Sequence, residues 1–77
     1  MPFNDGAYEQ LVRAAGGYEG LAEKVLEKLP GLGIDEQTMI RWGTTSGHDM
    51  TTGFYDVLHA IADELSLPDI CLYDRRQ

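Results

Sequence analysis

Hydrophobic residues recur along this chain at helical spacing in four places, and glycine or proline marks the gaps between them. Tyr8, Leu11, Val12 and Ala15 follow the i, i+3, i+4, i+7 pattern that forms one face of a helix. The polar lead before them offers Asp5 as an N-cap, so a first helix is predicted from Ala7. Gly16 and Gly17 should stop it, because glycine takes the left-handed cap without penalty. In a second predicted helix, over 18–29, Leu21, Ala22, Val25, Leu26 and Leu29 line one side. Glu19, Glu23, Lys24, Glu27 and Lys28 are left to water as a mixed charged face. Pro30 pushes Leu29 out of helical geometry, and Gly31 and Gly33 complete a turn of about four residues.

A third helix is predicted over 36–42. Asp35 is its expected N-cap, and Ile34 is set to pack on Met39 as a hydrophobic staple. Met39, Ile40 and Trp42 turn at least partly inward, Gly43 ends the segment, and Gln37, Thr38 and Arg41 are left outward. A Thr/Ser/Gly-rich loop follows over 44–52, with Thr51 or Thr52 as the next cap. Phe54, Val57, Leu58, Ile61, Ala62 and Leu65 then make the strongest apolar stripe in the chain, over a helix at 53–65 closed by Leu67-Pro68. In the tail, Ile70, Cys71, Leu72 and Tyr73 need cover, as a short fifth helix, an edge strand or half of a dimer contact. Two short amphipathic helices joined by a Pro/Gly turn and roofed by a stronger one form a helix-turn-helix pattern. The expected fold is therefore all-α, with four helices or five, in a single domain over 1–77 whose core spans about 7–68.

Composition qualifies that picture. With 77 residues the chain has the length of one domain, and a core that small is marginal unless a dimer or partner extends it. Thirteen acidic residues against six basic ones give a net charge of −7, whereas nucleic-acid binders usually carry a basic patch. The hydrophobic content of 43% is too high for an acidic disordered segment. One cysteine, Cys71, excludes an intrachain disulfide and a multi-cysteine metal site, and fits a reducing compartment. No apolar run reaches the roughly 18–20 residues of a membrane span, and the N-terminus lacks the layout of a signal peptide. A cytoplasmic protein is expected.

The motifs themselves bring a family into view. The carrying residues are Ala14-Ala15-Gly16-Gly17, Leu21-Ala22, Gly33-Ile34-Asp35, Thr38-Met39-Ile40-Arg41-Trp42 and Ile61-Ala62-Asp63-Glu64-Leu65. In that order they resemble the small Cro/repressor-type helix-turn-helix regulators of phages and bacteria, including the YdaS-like antitoxin group. The similarity runs over residues 8–68. It implies a DNA-binding transcriptional regulator, working as a homodimer. Two departures stand out. The segment EKVLEKLPGL separates Ala22 from Gly33 where the family has about four residues, which lengthens the second helix by about two turns. Asp35 and Glu36 also occupy the entrance of the would-be recognition helix, where phosphate contacts usually begin.

For DNA, the candidate base readers are Gln37, Thr38 and Arg41, since Gln pairs bidentately with adenine and Arg with guanine. Lys28, Thr44, Thr45 and Ser46 are the candidate phosphate contacts. A solvated helix face explains the same residues equally well. The competing reading is an acidic protein of phage type that uses the helix-turn-helix scaffold to bind a basic surface of a host protein, without DNA. His48, Asp49, Asp56, His59 and Asp63 lack a His or Cys pair at zinc spacing, so no metal is expected, and His59 reads as an exposed helical histidine beside carboxylates. Cys71 lies in an apolar tail with no histidine near it in sequence, and Gly31-Leu32-Gly33 is too short to cradle a phosphate, so neither an enzyme nor a cofactor is expected. Trp42 reads as a core anchor.

Overall fold

The computed structural model describes residues 3–45, 52–67 and 70–72. Four helices follow one another: α1 (Asp5–Ala14), α2 (Tyr18–Lys28), α3 (Glu36–Thr44) and α4 (Thr52–Glu64). The chain is all-α. Among the described residues no strand forms beyond an isolated bridge position at Phe3, and the described tail residues, 70–72, add no fifth helix.

The N-cap of α1 is Asn4, not Asp5. Its side-chain oxygen accepts the Ala7 N–H at 3.1 Å, and its carbonyl accepts the Tyr8 N–H at 3.1 Å. Both residue types cap well. What decides between them lies far along the chain: the Asn4 N–H donates to the Leu72 carbonyl at 2.7 Å, which holds Asn4 extended and leaves Asp5 as the first helical residue. At the other end Gly17 N–H reaches the Val12 carbonyl and Gly16 N–H the Arg13 carbonyl, the paired bonds of a Schellman cap. Gly17, at φ 105° and ψ −180°, occupies backbone space that is essentially glycine's alone. The expected stop is there, and glycine is its reason.

α2 packs against α1, α3 and α4, most extensively α3. Its descent onto the end of α1 is close: a Cβ on Gly20 would lie 2.1 Å from the Ala15 carbonyl oxygen. The expected helix end at Leu29 falls one residue late. The connection to α3 takes residues 29–35, longer than the turn anticipated and longer than the three or four residues of a compact helix-turn-helix. Residues 23–32 are therefore shared between helix and connection, because Pro30 bars the helix from absorbing them all.

α3 begins as the sequence predicts. Asp35 Oδ1 accepts from the Thr38 N–H at 2.9 Å and from the Thr38 hydroxyl at 2.8 Å, while Ile34 and Met39 are both buried. Gly43 does not end it. The helix continues to Thr44, and a Cβ on Gly43 would stand 3.2 Å from the ring of Tyr8, so the glycine there serves packing space. The Tyr8 hydroxyl, buried in the same place, donates to the Met39 carbonyl at 2.6 Å, and burial pushes its pKa well up, with a smaller push from Tyr18. α4 starts at Thr52, one residue before the predicted start. Thr51, one of its two candidate caps, lies outside the described residues, as does Pro68. The helix ends in a second Schellman cap, with Leu67 N–H on the Ala62 carbonyl and Ser66 N–H on Asp63. Ser66 itself takes φ 64°, a left-handed position that costs a non-glycine residue about 1 kcal/mol.

One cluster of buried side chains joins everything. Tyr8, Leu11 and Val12 come from α1, Leu21, Ala22 and Val25 from α2, Met39 and Trp42 from α3, and Leu58, Ile61 and Ala62 from α4. Trp42 is the anchor expected, with its ring centroid 4.6 Å from that of Phe54. Leu72 enters the same cluster from the tail, fully buried. No described helix is long and apolar enough to cross a membrane.

Candidate functional site

The candidate reading face is the solvent side of α3, held in place by its cap, its staple and the Tyr8 bond beneath. Glu36, Gln37, Arg41 and Thr44 are exposed along it, and Ile40 and Gly43 are half-covered. Gln37 and Arg41 thus stand where a base reader needs them. Thr38 does not stand apart as a reader, because its hydroxyl is spent on the Asp35 carboxylate.

The candidate phosphate contacts are differently placed. The Thr44 hydroxyl donates to the Ile40 carbonyl at 2.9 Å and the Thr45 hydroxyl to the Arg41 carbonyl at 2.8 Å. Each is a helix back-bond that occupies the single O–H a phosphate would accept from. Lys28 sits on α2 and pairs with Glu64 of α4 at 2.6 Å, so it is a cross-helix ion pair and not part of a purely solvated face. Ser46 lies outside the described residues. The six described DNA candidates therefore do not converge on one donor-rich surface.

Electrostatics at the helix entrance run against an anion. Asp35 is held below its ordinary pKa first by the Thr38 backbone N–H, then by the Thr38 hydroxyl, with Arg41 adding a favourable charge, so it is firmly ionised at neutral pH. Glu36 follows it directly. Two carboxylates thus satisfy the positive end of the α3 dipole from within the chain. Among the described residues the cations are Arg13, Lys24, Lys28 and Arg41, and Arg13 pairs with Glu9 while Lys28 pairs with Glu64. At the opposite end of α3, Gly43 and Thr44 join Asp5, Tyr8, Glu9 and Tyr18 around a cleft of about 260 Å³. Of the two carboxylates there, that of Glu9 is paired with Arg13.

Two features escaped the sequence. Leu32 is 56% exposed, and with Leu29, Phe54 and Val57 it borders an apolar groove between the α2–α3 connection and α4. A leucine between two glycines was its only signal. His59 is half-buried and not exposed, and its Nε2 accepts the Leu72 N–H at 3.3 Å. The tail crosses α4 at that point, which no local pattern announces. Among the described residues no group of three His, Cys, Asp or Glu side chains is arranged to hold a metal ion, and His48 and Asp49 lie outside them. Cys71 is half-buried and in no disulfide.

Comparison with protein families, with characterised proteins and with solved structures finds no match for this chain.

Proposed function

We propose that the chain is an acidic helix-turn-helix-like module that binds a basic surface of another protein. The observation that carries this reading is the entrance of α3, where Asp35 and Glu36 present two negative charges at the point where a DNA-reading helix meets phosphate. Phosphate contacts dominate the affinity of DNA-binding proteins, and each needs a donor or a cation. Here the threonine hydroxyls are turned to their own helix and Lys28 is held by Glu64. The net charge of −7 extends the same preference over the whole surface and speeds encounter with a basic partner.

The DNA-binding regulator is the second reading, and one observation favours it: Gln37 and Arg41 both stand exposed on α3. The Lys28–Glu64 pair is also exposed enough to exchange for a phosphate at little expense.

One titration separates the two. The full chain is measured by fluorescence anisotropy against pooled random duplex at about 50 mM salt, and in parallel against a lysine- and arginine-rich helical peptide. The protein reading expects no duplex binding, and peptide binding that Asp35→Asn and Glu36→Gln weaken. Asparagine still caps α3, so the first substitution removes charge and spares the fold. Duplex binding that Arg41→Ala weakens, and that Glu36→Gln strengthens, overturns the proposal in favour of the regulator.

A further inference from the structure

We propose that residues 70–72 form an acid-sensitive latch, held shut by the neutral imidazole of His59. The Leu72 N–H donates to His59 Nε2 at 3.3 Å, so that nitrogen presents a lone pair and the ring proton sits on Nδ1. The Leu72 carbonyl accepts the Asn4 N–H at 2.7 Å, and the Leu72 side chain is 0% exposed within the core cluster. One residue therefore joins α4, the core and the cap of α1. Histidine is the side chain whose ordinary titration falls between pH 5 and 8. Protonation puts an N–H on Nε2, so donor faces donor, and a part-buried backbone amide loses its acceptor.

On α4 itself Asp56 and Asp63 sit three and four residues from His59, with Tyr55 on the preceding turn; Cys71 neighbours Leu72, and Asp5 neighbours Asn4. With the latch open, Leu72 leaves its place in the core cluster, and Asn4 loses the bond that fixes it as the cap of α1. The device is independent of whether the partner is protein or DNA.

Hydrogen exchange and imidazole nitrogen shifts of the full chain, followed by NMR at about pH 7.5 and about pH 5.5, test it. At the higher pH His59 should show the Nδ1–H tautomer. On acidification the Leu72 amide should lose protection by about fivefold beyond the intrinsic pH effect, the factor that one ordinary hydrogen bond represents. The Leu11 and Ile61 amides should keep theirs. In His59→Gln, whose side-chain oxygen accepts a bond without titrating, the step should vanish. An Nε2–H tautomer at neutral pH overturns the latch, as does a parent with no step, an equal loss at Leu11 and Ile61, or a step that survives His59→Gln. The tautomer and the parent's exchange need no variant, so a glutamine substitution that unfolds the chain leaves the test intact.

Discussion

Asp35 shows how much one side chain decides at the residue scale. It accepts one of the orphan donors of α3, the Thr38 N–H, together with the Thr38 hydroxyl, and for that reason its carboxylate is easier to ionise in the folded chain than in the unfolded one. A depressed folded pKa contributes stability that is present above the ordinary aspartate range and is lost as pH falls through and below it. Glu64, lowered mainly by its hydrogen bond from Lys28, acts in the same direction. The melting temperature should therefore decline as pH is taken from about 5 to about 3. Asp35→Asn should melt with a shallower decline over that window, and a slope identical to the parent's would remove Asp35 from the linkage. Asp35 was legible in the sequence because capping is local: an aspartate stands before an amphipathic run with Thr38 three residues on. Asn4 was not, because the bond that selects it over Asp5 comes from Leu72.

At the scale of elements, the packing of α2 on α1 turns on Gly20. The residue is helical and has no conformational need for glycine; what it needs is room, since a Cβ would lie 2.1 Å from the Ala15 oxygen and 3.0 Å from its carbonyl carbon. Alanine improves helix propensity by about 1 kcal/mol, whereas forcing two backbones apart costs about 1–3 kcal/mol or more. Gly20→Ala should thus lower the urea midpoint at unchanged slope; a variant as stable as the parent would show that α2 shifts freely along α1. Gly43 makes the same point in reverse. Read along the chain it looked like a terminator, yet α3 runs through it, because Tyr8 occupies the space that a side chain would take.

At the scale of the whole molecule, α4 contributes Leu58, Ile61 and Ala62 to the common core and the tail contributes Leu72. Leu58 is 0% exposed within the common cluster, and truncating such a residue costs about 2–5 kcal/mol through lost transfer energy and the cavity left behind. A domain of this size has about 5 kcal/mol to lose, so Leu58→Ala should be largely unfolded or molten at about 37 °C. A cooperative thermal melt within a few degrees of the parent's would mean that α4 does not carry the core. Charge belongs to this scale too. A surplus of acids is visible in composition, but its effect on function depends on which cations the folded chain has already paired.

The sequence by itself determined the four helices, the stop at Gly16-Gly17, the cap and staple of α3, and the apolar stripe of α4. Each rests on residues within one or two helical turns of each other, where spacing alone dictates geometry. It also set out the candidates on α3, whose outward positions follow from the same period. Thr38, Thr44 and Thr45 are engaged by groups three or four residues before them, and only the tertiary structure decided the partners of Lys28 and of the tail. Lys28 lies 36 residues from Glu64, and Leu72 lies 13 from His59, and neither pairing has a periodic signature. Local pattern places a side chain on a face of its helix; what it meets there depends on which distant segment the core draws alongside.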